Sequence, residues 1–213
     1  MVTRRVLSLA VNLLVAAVVF WAWGRVVFAR NEQGMLSSRG LASLKYFTVL
    51  SNLLAAVASL IYAVCQIRAL AGGAGVPQWC LLLKYAATVS VGLTFAVVMA
   101  FLGPVYGYAN MFQGSNFWFH LIVPLVCAAQ WVLLDRDGSL PFRAVYAAML
   151  PMLLYAVGYV TNLLIHGISQ HPNPHDWYGF AVHGVPGACL SFVLVTLATF
   201  ALSVLLRLPH MRG

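Results

Sequence analysis

Hydroxyl, amide and imidazole side chains recur at helical spacing within long apolar stretches of the chain. Thr48, Ser51 and Asn52 are three and four residues apart, so a helix would place them on one face. Asn116 and His120 are four residues apart and would share a face of another helix. A hydroxyl opposite an imidazole is the minimum for base-activated nucleophilic chemistry, because the imidazole can take the hydroxyl proton while the oxygen attacks an acyl carbon.

Two other interpretations fit the same spacing. Polar groups inside a membrane also bind or transport lipids and small molecules without any reaction. Ser, Thr and Asn can hold helices together, each interhelical hydrogen bond contributing about 0.6–2 kcal/mol, and a Thr can bond the carbonyl four residues earlier in its own helix. Spacing alone therefore leaves catalysis, binding and packing open.

A catalytic histidine would also need a group that orients its ring. All the acidic residues, Glu32, Asp135, Asp137 and Asp176, lie in predicted loops. We therefore expect the third group to be an amide, a backbone carbonyl or Asp176. The candidates for substrate binding or for stabilising an oxyanion are Ser51, Asn52, Asn116, His166 and His183.

The composition indicates the elements that must position these side chains. Of 213 residues, 62% are hydrophobic and 8% charged, and the mean hydropathy is +0.90. A soluble domain averages roughly 45–50% apolar and 25% charged residues. The chain is thus expected to be an all-α polytopic membrane protein, which excludes a soluble enzyme and a nucleic-acid reader.

Runs of about 20 apolar residues predict the membrane spans. We predict a single domain of six helices, at residues 6–28, 44–67, 81–102, 117–134, 145–165 and 185–206. Eight basic residues fall at the end that holds both termini, namely Arg4, Arg5, Arg68, Lys84, Arg136, Arg143, Arg207 and Arg212. The first loop holds four, namely Arg25, Arg30, Arg39 and Lys45. This imbalance predicts cytoplasmic termini.

With that orientation, the candidate residues converge. The second and fourth helices run inward and begin near Thr48 and Asn116, the fifth runs outward and ends near His166, and the sixth runs inward from just after His183. The polar groups of four helices therefore meet in the outer half of the bundle, whereas the inner half has only scattered Ser, Thr and Gln130. Convergence at one depth is what a single site would produce.

The fifth loop allows two readings. His171, His175 and Asp176, flanked by His166 and His183, carry the ligand types that zinc uses. Pro172 and Pro174 prevent the helix that would align an HxxxH pair. The favoured interpretation is that this loop forms a cap over the site, in contact with lipid. We expect neither a metal nor another cofactor.

The string KYFTVLSNLL at residues 45–54, followed by Asn116-x3-His120-x3-Pro124, resembles the androgen-induced-protein type of six-span membrane proteins and their bacterial relatives. The animal members are threonine hydrolases that cleave fatty acid esters of hydroxy fatty acids, with an intramembrane Thr nucleophile and a His partner. The resemblance implies that Thr48 is a nucleophile and His120 its base, and that the substrate is a membrane lipid or fatty-acid ester.

The bacterial relatives suggest a bacterial inner (plasma) membrane protein, and the predicted orientation places its site in the outer half of the bilayer. An acyltransferase would use the same pair, with an alcohol rather than water as the acceptor. A non-enzymatic lipid or small-molecule binder or transporter is the principal alternative, and a structural or assembly subunit is another. No nucleic-acid partner is expected.

Overall fold

The computed structural model describes residues 2–28, 40–168 and 174–211. Within these residues, six helices are long and apolar enough to cross a membrane: α1 (Val2–Phe28), α2 (Phe47–Leu70), α3 (Gln78–Tyr106), α4 (Ser115–Leu133), α5 (Arg143–His166) and α6 (Gly184–His210). The described residues contain no strand. The predicted class, an all-α bundle of six membrane-spanning helices, is confirmed.

Lipid offers no hydrogen-bond partner for backbone N–H and C=O groups. Each apolar run therefore forms a helix, in which these groups bond one another. α3 lies at the centre, against α2, α4, α5 and α6, and 56% of the residues in its most apolar stretch are buried. The corresponding values for α5 and α6 are 28% and 17%, so these helices are peripheral. α3 also continues to Tyr106, so the first part of the predicted loop at 103–116 is helical.

The two ends of the bundle have different polar chemistry. We call the end that contains Arg4, Asp137 and His210 the base, and the opposite end the top. At the base, Arg5 Nε donates to Asp137 Oδ1 at 2.9 Å, and His210 Nε2 lies 2.8 Å from the backbone oxygen of Asp135. Both ends of the described chain therefore lie at the base, next to the loop between α4 and α5.

Lys84 corrects the expectation that the inner half has only scattered polar residues. It lies inside α3 and is 1% exposed. Its Nζ donates to Asn12 Oδ1 at 2.6 Å, to Ser59 Oγ at 2.7 Å and to Gln130 Oε1 at 3.4 Å. The lysine thus joins four helices through neutral oxygens. From sequence, Lys84 is counted among the basic residues at the ends of the spans, because sequence does not reveal these partners.

Two π-helical turns interrupt the spans near the top, at Val98–Leu102 in α3 and Trp118–Ile122 in α4. Each is followed, after one residue, by a proline, Pro104 or Pro124. Proline has no N–H, so the i→i+5 pattern cannot continue to the carbonyls of Met99 and Phe119. Both carbonyls are bonded by side chains, which become part of the candidate site.

Candidate active site at the top of the bundle

Thr48 is the second residue of α2 and lies where two cavities meet. One cavity, of about 150 Å³, is lined by Thr48, Asn116 and His120 together with Tyr46, Leu102, Tyr106, Met111, Trp177 and Tyr178. Two side chains thus come from α4 and the threonine from α2. The structure therefore brings the sequence-predicted hydroxyl and imidazole to the same space.

The second cavity, of about 80 Å³, lies between α3, α5 and α6 and is almost entirely apolar. Thr48, Leu102 and Tyr178 line both cavities. Leu93 and Met152 line the apolar cavity towards the base, while Tyr159 and Phe192 line it towards the top. Thr48 consequently lies between this apolar cavity and the first one, which we call the polar cavity because the side chains of Asn116 and His120 line it.

His120 is 5% exposed, and its ring is held by the backbone. Nδ1 lies 2.9 Å from the carbonyl oxygen of Met111. A carbonyl only accepts hydrogen bonds, so Nδ1 carries the proton and Nε2 of the neutral ring is left as an acceptor. This is the tautomer that a general base requires.

Asn116 is 2% exposed, and neither its Nδ2 nor its Oδ1 has a hydrogen-bond partner in the described part of the chain. An unpaired buried amide costs about 1–3 kcal/mol. It lines the polar cavity with Thr48 and His120. An amide left unpaired at that position is suited to a ligand oxygen.

Asn52 has a different role because both of its N–H groups are used. Nδ2 donates to the Thr48 backbone oxygen at 2.7 Å and to the Phe119 backbone oxygen at 3.2 Å. The second of these is the carbonyl that Pro124 leaves unpaired. Asn52 therefore joins the start of α2 to the π-helical turn that contains His120, so its N–H groups are engaged, while its Oδ1 has no hydrogen-bond partner in the described part of the chain.

The other π-helical turn positions the partner of His120. The carbonyl of Met99, left unpaired by Pro104, accepts a hydrogen bond from the Tyr108 hydroxyl at 2.9 Å. Tyr108 begins the short helix Tyr108–Met111, which follows Gly107 at φ +85°. A glycine is favoured there because other residues rarely adopt this φ. The turn carries the Met111 carbonyl to His120.

Ser51 lies beside Thr48 but points to α3. Its Oγ lies 3.1 Å from the Thr48 backbone oxygen and 3.0 Å from Thr94 Oγ1. Like Asn52, it bonds the backbone of Thr48 and not its hydroxyl. Ser51 therefore connects α2 to α3 next to the site.

The segment that precedes α6 covers the site. Tyr178 accepts a hydrogen bond from the Phe47 N–H at 2.7 Å, which satisfies a free donor at the start of α2. Burial raises the pKa of Tyr178 well above its usual value, so the phenol stays neutral. Asp176 accepts hydrogen bonds from the Tyr159 hydroxyl and from the N–H groups of Phe180 and Ala181. Asp176 thus braces this segment and does not orient His120.

His166 and His183 are not brought to the two cavities. Both are exposed, and His166 stacks on His175 with ring centroids 3.8 Å apart. Among the residues that the structure describes, no three His, Cys, Asp or Glu side chains are grouped as metal ligands would be. His171, the remaining member of the metal reading, lies outside the described residues.

Two contributors to the site were not found from sequence. Met111 acts through its backbone carbonyl, which carries no residue-type signal. Tyr178 lies in the fifth loop, which the sequence predicts only as a cap without assigning a role to this residue, although it lines both cavities. Prolines at 104 and 124, one residue beyond each π-helical turn, are the signal that could have indicated unpaired carbonyls nearby.

Comparison of the chain with protein-family models, with curated proteins and with solved structures finds no match.

Proposed function

We propose that the protein is an intramembrane hydrolase of lipid esters, with Thr48 as nucleophile and His120 as base. The observation that carries this proposal is the shared cavity lined by Thr48, His120 and Asn116. The resemblance of residues 45–54 and of Asn116-x3-His120-x3-Pro124 to threonine hydrolases supports the same roles.

In the first step, Nε2 of His120 takes the proton of the Thr48 hydroxyl as Oγ1 forms a bond to the ester carbonyl carbon. The Met111 carbonyl keeps Nδ1 protonated and its dipole stabilises the imidazolium that forms. The Asn116 amide, which has no partner of its own, donates to the carbonyl oxygen as it becomes negative. Proton transfer by such a histidine contributes about 10²–10⁴-fold to the rate.

The tetrahedral intermediate then collapses. The bond to the alcohol oxygen breaks, the alcohol takes the proton from Nε2, and the acyl group remains on Thr48. Water, deprotonated by the same nitrogen, attacks the acyl carbon; the bond to Thr48 Oγ1 then breaks, Oγ1 takes the proton back from Nε2, and the acid is released. The acyl chain lies in the apolar cavity between α3, α5 and α6, and the alcohol side occupies the polar cavity. Fatty acid esters of hydroxy fatty acids, apolar on both sides of the ester, are the substrate class that the resemblance suggests.

The test is covalent labelling of the purified protein in detergent with a fluorophosphonate probe. The probe forms an oxygen–phosphorus bond with an activated hydroxyl and releases fluoride. We expect labelling at Thr48 in the wild type, none in Thr48→Ala, and at least a hundredfold slower labelling in His120→Ala. Thermal unfolding must show that the variants are folded.

Thr88→Ala is the matched control, because Thr88 is a buried threonine of α3 that lines neither cavity and whose hydroxyl bonds only the Lys84 carbonyl of its own helix. It should be labelled like the wild type. Labelling that maps elsewhere, or that persists in Thr48→Ala, would contradict the proposal. A folded protein that is never labelled but binds fatty acids would favour a lipid-binding protein instead.

A further inference from the structure

A large groove opens at the base of the bundle, away from the candidate active site. Its volume is about 790 Å³, and its lining includes Gln78 and Leu82 of α3, Ser139 of the loop between α4 and α5, Arg143 and Ala147 at the start of α5, and Arg207 at the end of α6. Gln78 Nε2 donates to the Ser139 backbone oxygen at 3.1 Å, which joins two sides of the groove. The reaction proposed above uses none of these residues.

The groove is positively charged and has no carboxylate of its own. Arg143 and Arg207 line it, and no Asp or Glu does. The nearest acids along the chain are engaged elsewhere: Asp137 pairs with Arg4 and Arg5, and Asp135 accepts a hydrogen bond from Ser8. No carboxylate of the described residues lines the groove beside these two guanidinium groups. They are therefore suited to an anion that both can bind.

Arg207 is held in place before any ligand binds. Its Nε donates to the Leu140 backbone oxygen at 2.9 Å, and its guanidinium carbon lies 5.5 Å from the centre of the Phe142 ring. Among the residues that the structure describes, this arrangement uses Nε alone and leaves the two Nη groups for a ligand. A fixed guanidinium loses little conformational entropy on binding, which favours specific recognition over diffuse attraction.

The position of the groove identifies the source of the anion. Arg143 begins α5 and Arg207 lies in the last helical turn of α6, so both stand at the ends of apolar spans, and the end of a span is where a bilayer would place its lipid headgroups. Beside them, Tyr146, Leu150 and Leu205 are 52–60% exposed on the two helices that are least buried in the bundle. A lipid with its phosphate in the groove could lay its chains along these side chains.

We infer that this groove is a binding site for the phosphate of an anionic phospholipid. Basic pockets between spans are known to bind such headgroups. The zwitterionic lipid phosphatidylcholine also carries a phosphate, but its choline brings a positive charge towards the two arginines. The inference does not depend on the proposed hydrolase activity.

Native mass spectrometry of the detergent-purified full chain tests the inference, with phosphatidylglycerol or phosphatidylcholine added at equal concentration. We expect one phosphatidylglycerol to be retained in preference to phosphatidylcholine. Arg143→Gln and Arg207→Gln should each weaken its binding about fivefold. Arg68→Gln is the matched control, since Arg68 is exposed at the end of α2 and does not line the groove.

Because Arg207 also bonds Leu140, its variant can lose stability, and Arg143→Gln then provides the decisive comparison at matched thermal stability. Equal retention of the two lipids would overturn the inference. So would unchanged binding in Arg143→Gln, or an equal loss in Arg68→Gln. Displacement of the lipid by millimolar inorganic phosphate would show a site for a free anion and would also overturn the assignment to a lipid.

Discussion

The ring of His120 is bonded to the backbone of Met111, with Nδ1 lying 2.9 Å from the carbonyl oxygen. A carboxylate usually performs this role beside a catalytic histidine. A backbone carbonyl fixes the same tautomer without placing a full charge in the membrane, where an unpaired charge is expensive. The arrangement depends on the position of the turn that carries Met111, and therefore on residues that never touch His120.

Gly103 is such a residue. A Cβ added to it would lie 2.2 Å from Cε1 of Tyr108, so the tyrosine ring would have to leave. We expect Gly103→Ala to displace the Tyr108–Met111 turn, weaken the bond to His120 and slow fluorophosphonate labelling of Thr48 at least tenfold. Labelling rate and thermal unfolding should be measured on the same sample.

Gly92 provides the matched control for that variant. It lies in the same helix, and an added Cβ would meet only Leu206 Cδ1 at an ordinary 3.9 Å. Gly92→Ala should therefore label at the wild-type rate, with stability raised by up to ~1 kcal/mol from helix propensity. If Gly103→Ala labels as fast as Gly92→Ala, the turn does not control His120.

Asn52→Leu tests the link between α2 and the π-helical turn that contains His120. The variant removes the donor to the backbone oxygens of Thr48 and Phe119 and leaves the latter without a partner. We expect a loss of about 1–3 kcal/mol in the free energy of unfolding, together with slower labelling of Thr48. Ser90→Ala, which removes a buried hydroxyl bonded only within its own helix, should have little effect on labelling. Equal labelling rates for the two variants would exclude a positioning role for Asn52.

Composition and residue spacing predicted much of this molecule, for physical reasons. Long apolar runs must be helical in lipid, so six spans followed from hydropathy. Thr48 and His120 could be paired because the direction of each helix places the start of α2 beside the start of α4. The exposed positions of His166 and His183 could not be predicted. The direction of a helix predicts how far a residue lies from the top of the bundle, but not whether its side chain faces the interior.

Backbone groups and distant pairings were also hidden from sequence. The hydrogen bonds to the carbonyls of Met99, Met111 and Phe119 have no signal in the residue types. Pro104 and Pro124, five residues after Met99 and Phe119, do indicate that two of these carbonyls lack a partner in their own helix. Lys84 could be read only as a boundary charge, because Asn12 and Ser59, which bind it, come from other helices. Tertiary structure supplies these contacts.

Lys84→Met tests whether the buried ammonium stabilises the base of the bundle. The methionine fills similar space but leaves Asn12 Oδ1 without its 2.6 Å donor and removes the bond to Ser59. We expect a loss of about 1–3 kcal/mol in the free energy of unfolding, measured by thermal or denaturant unfolding in detergent. Arg68→Met, at an exposed position near the same end, should change stability little. A variant as stable as the wild type would show that the network contributes nothing net.

Asp135 should make stability depend on pH in an unusual direction. Burial raises its pKa from 3.8 to about 6, although the Lys84 charge and the Ser8 hydrogen bond oppose the shift. The folded protein therefore binds more protons at Asp135 than the unfolded chain does between pH 4 and 6, so the contribution of this group to stability falls as pH rises through that window. Above about pH 7, where the carboxyl is ionised in both states, its contribution should be constant.

Asp135→Asn isolates this effect, because the amide keeps an oxygen for Ser8 but does not titrate in the window. We expect the free energy of unfolding of the wild type to fall relative to the variant by about 2–3 kcal/mol between pH 4 and 7. Unfolding curves of both proteins at each pH give the difference, in which other titrating groups largely cancel. A constant difference would mean that the Lys84 charge and the hydrogen bonds cancel the effect of burial, and a difference that rises with pH would mean that they outweigh it; either result would contradict the prediction.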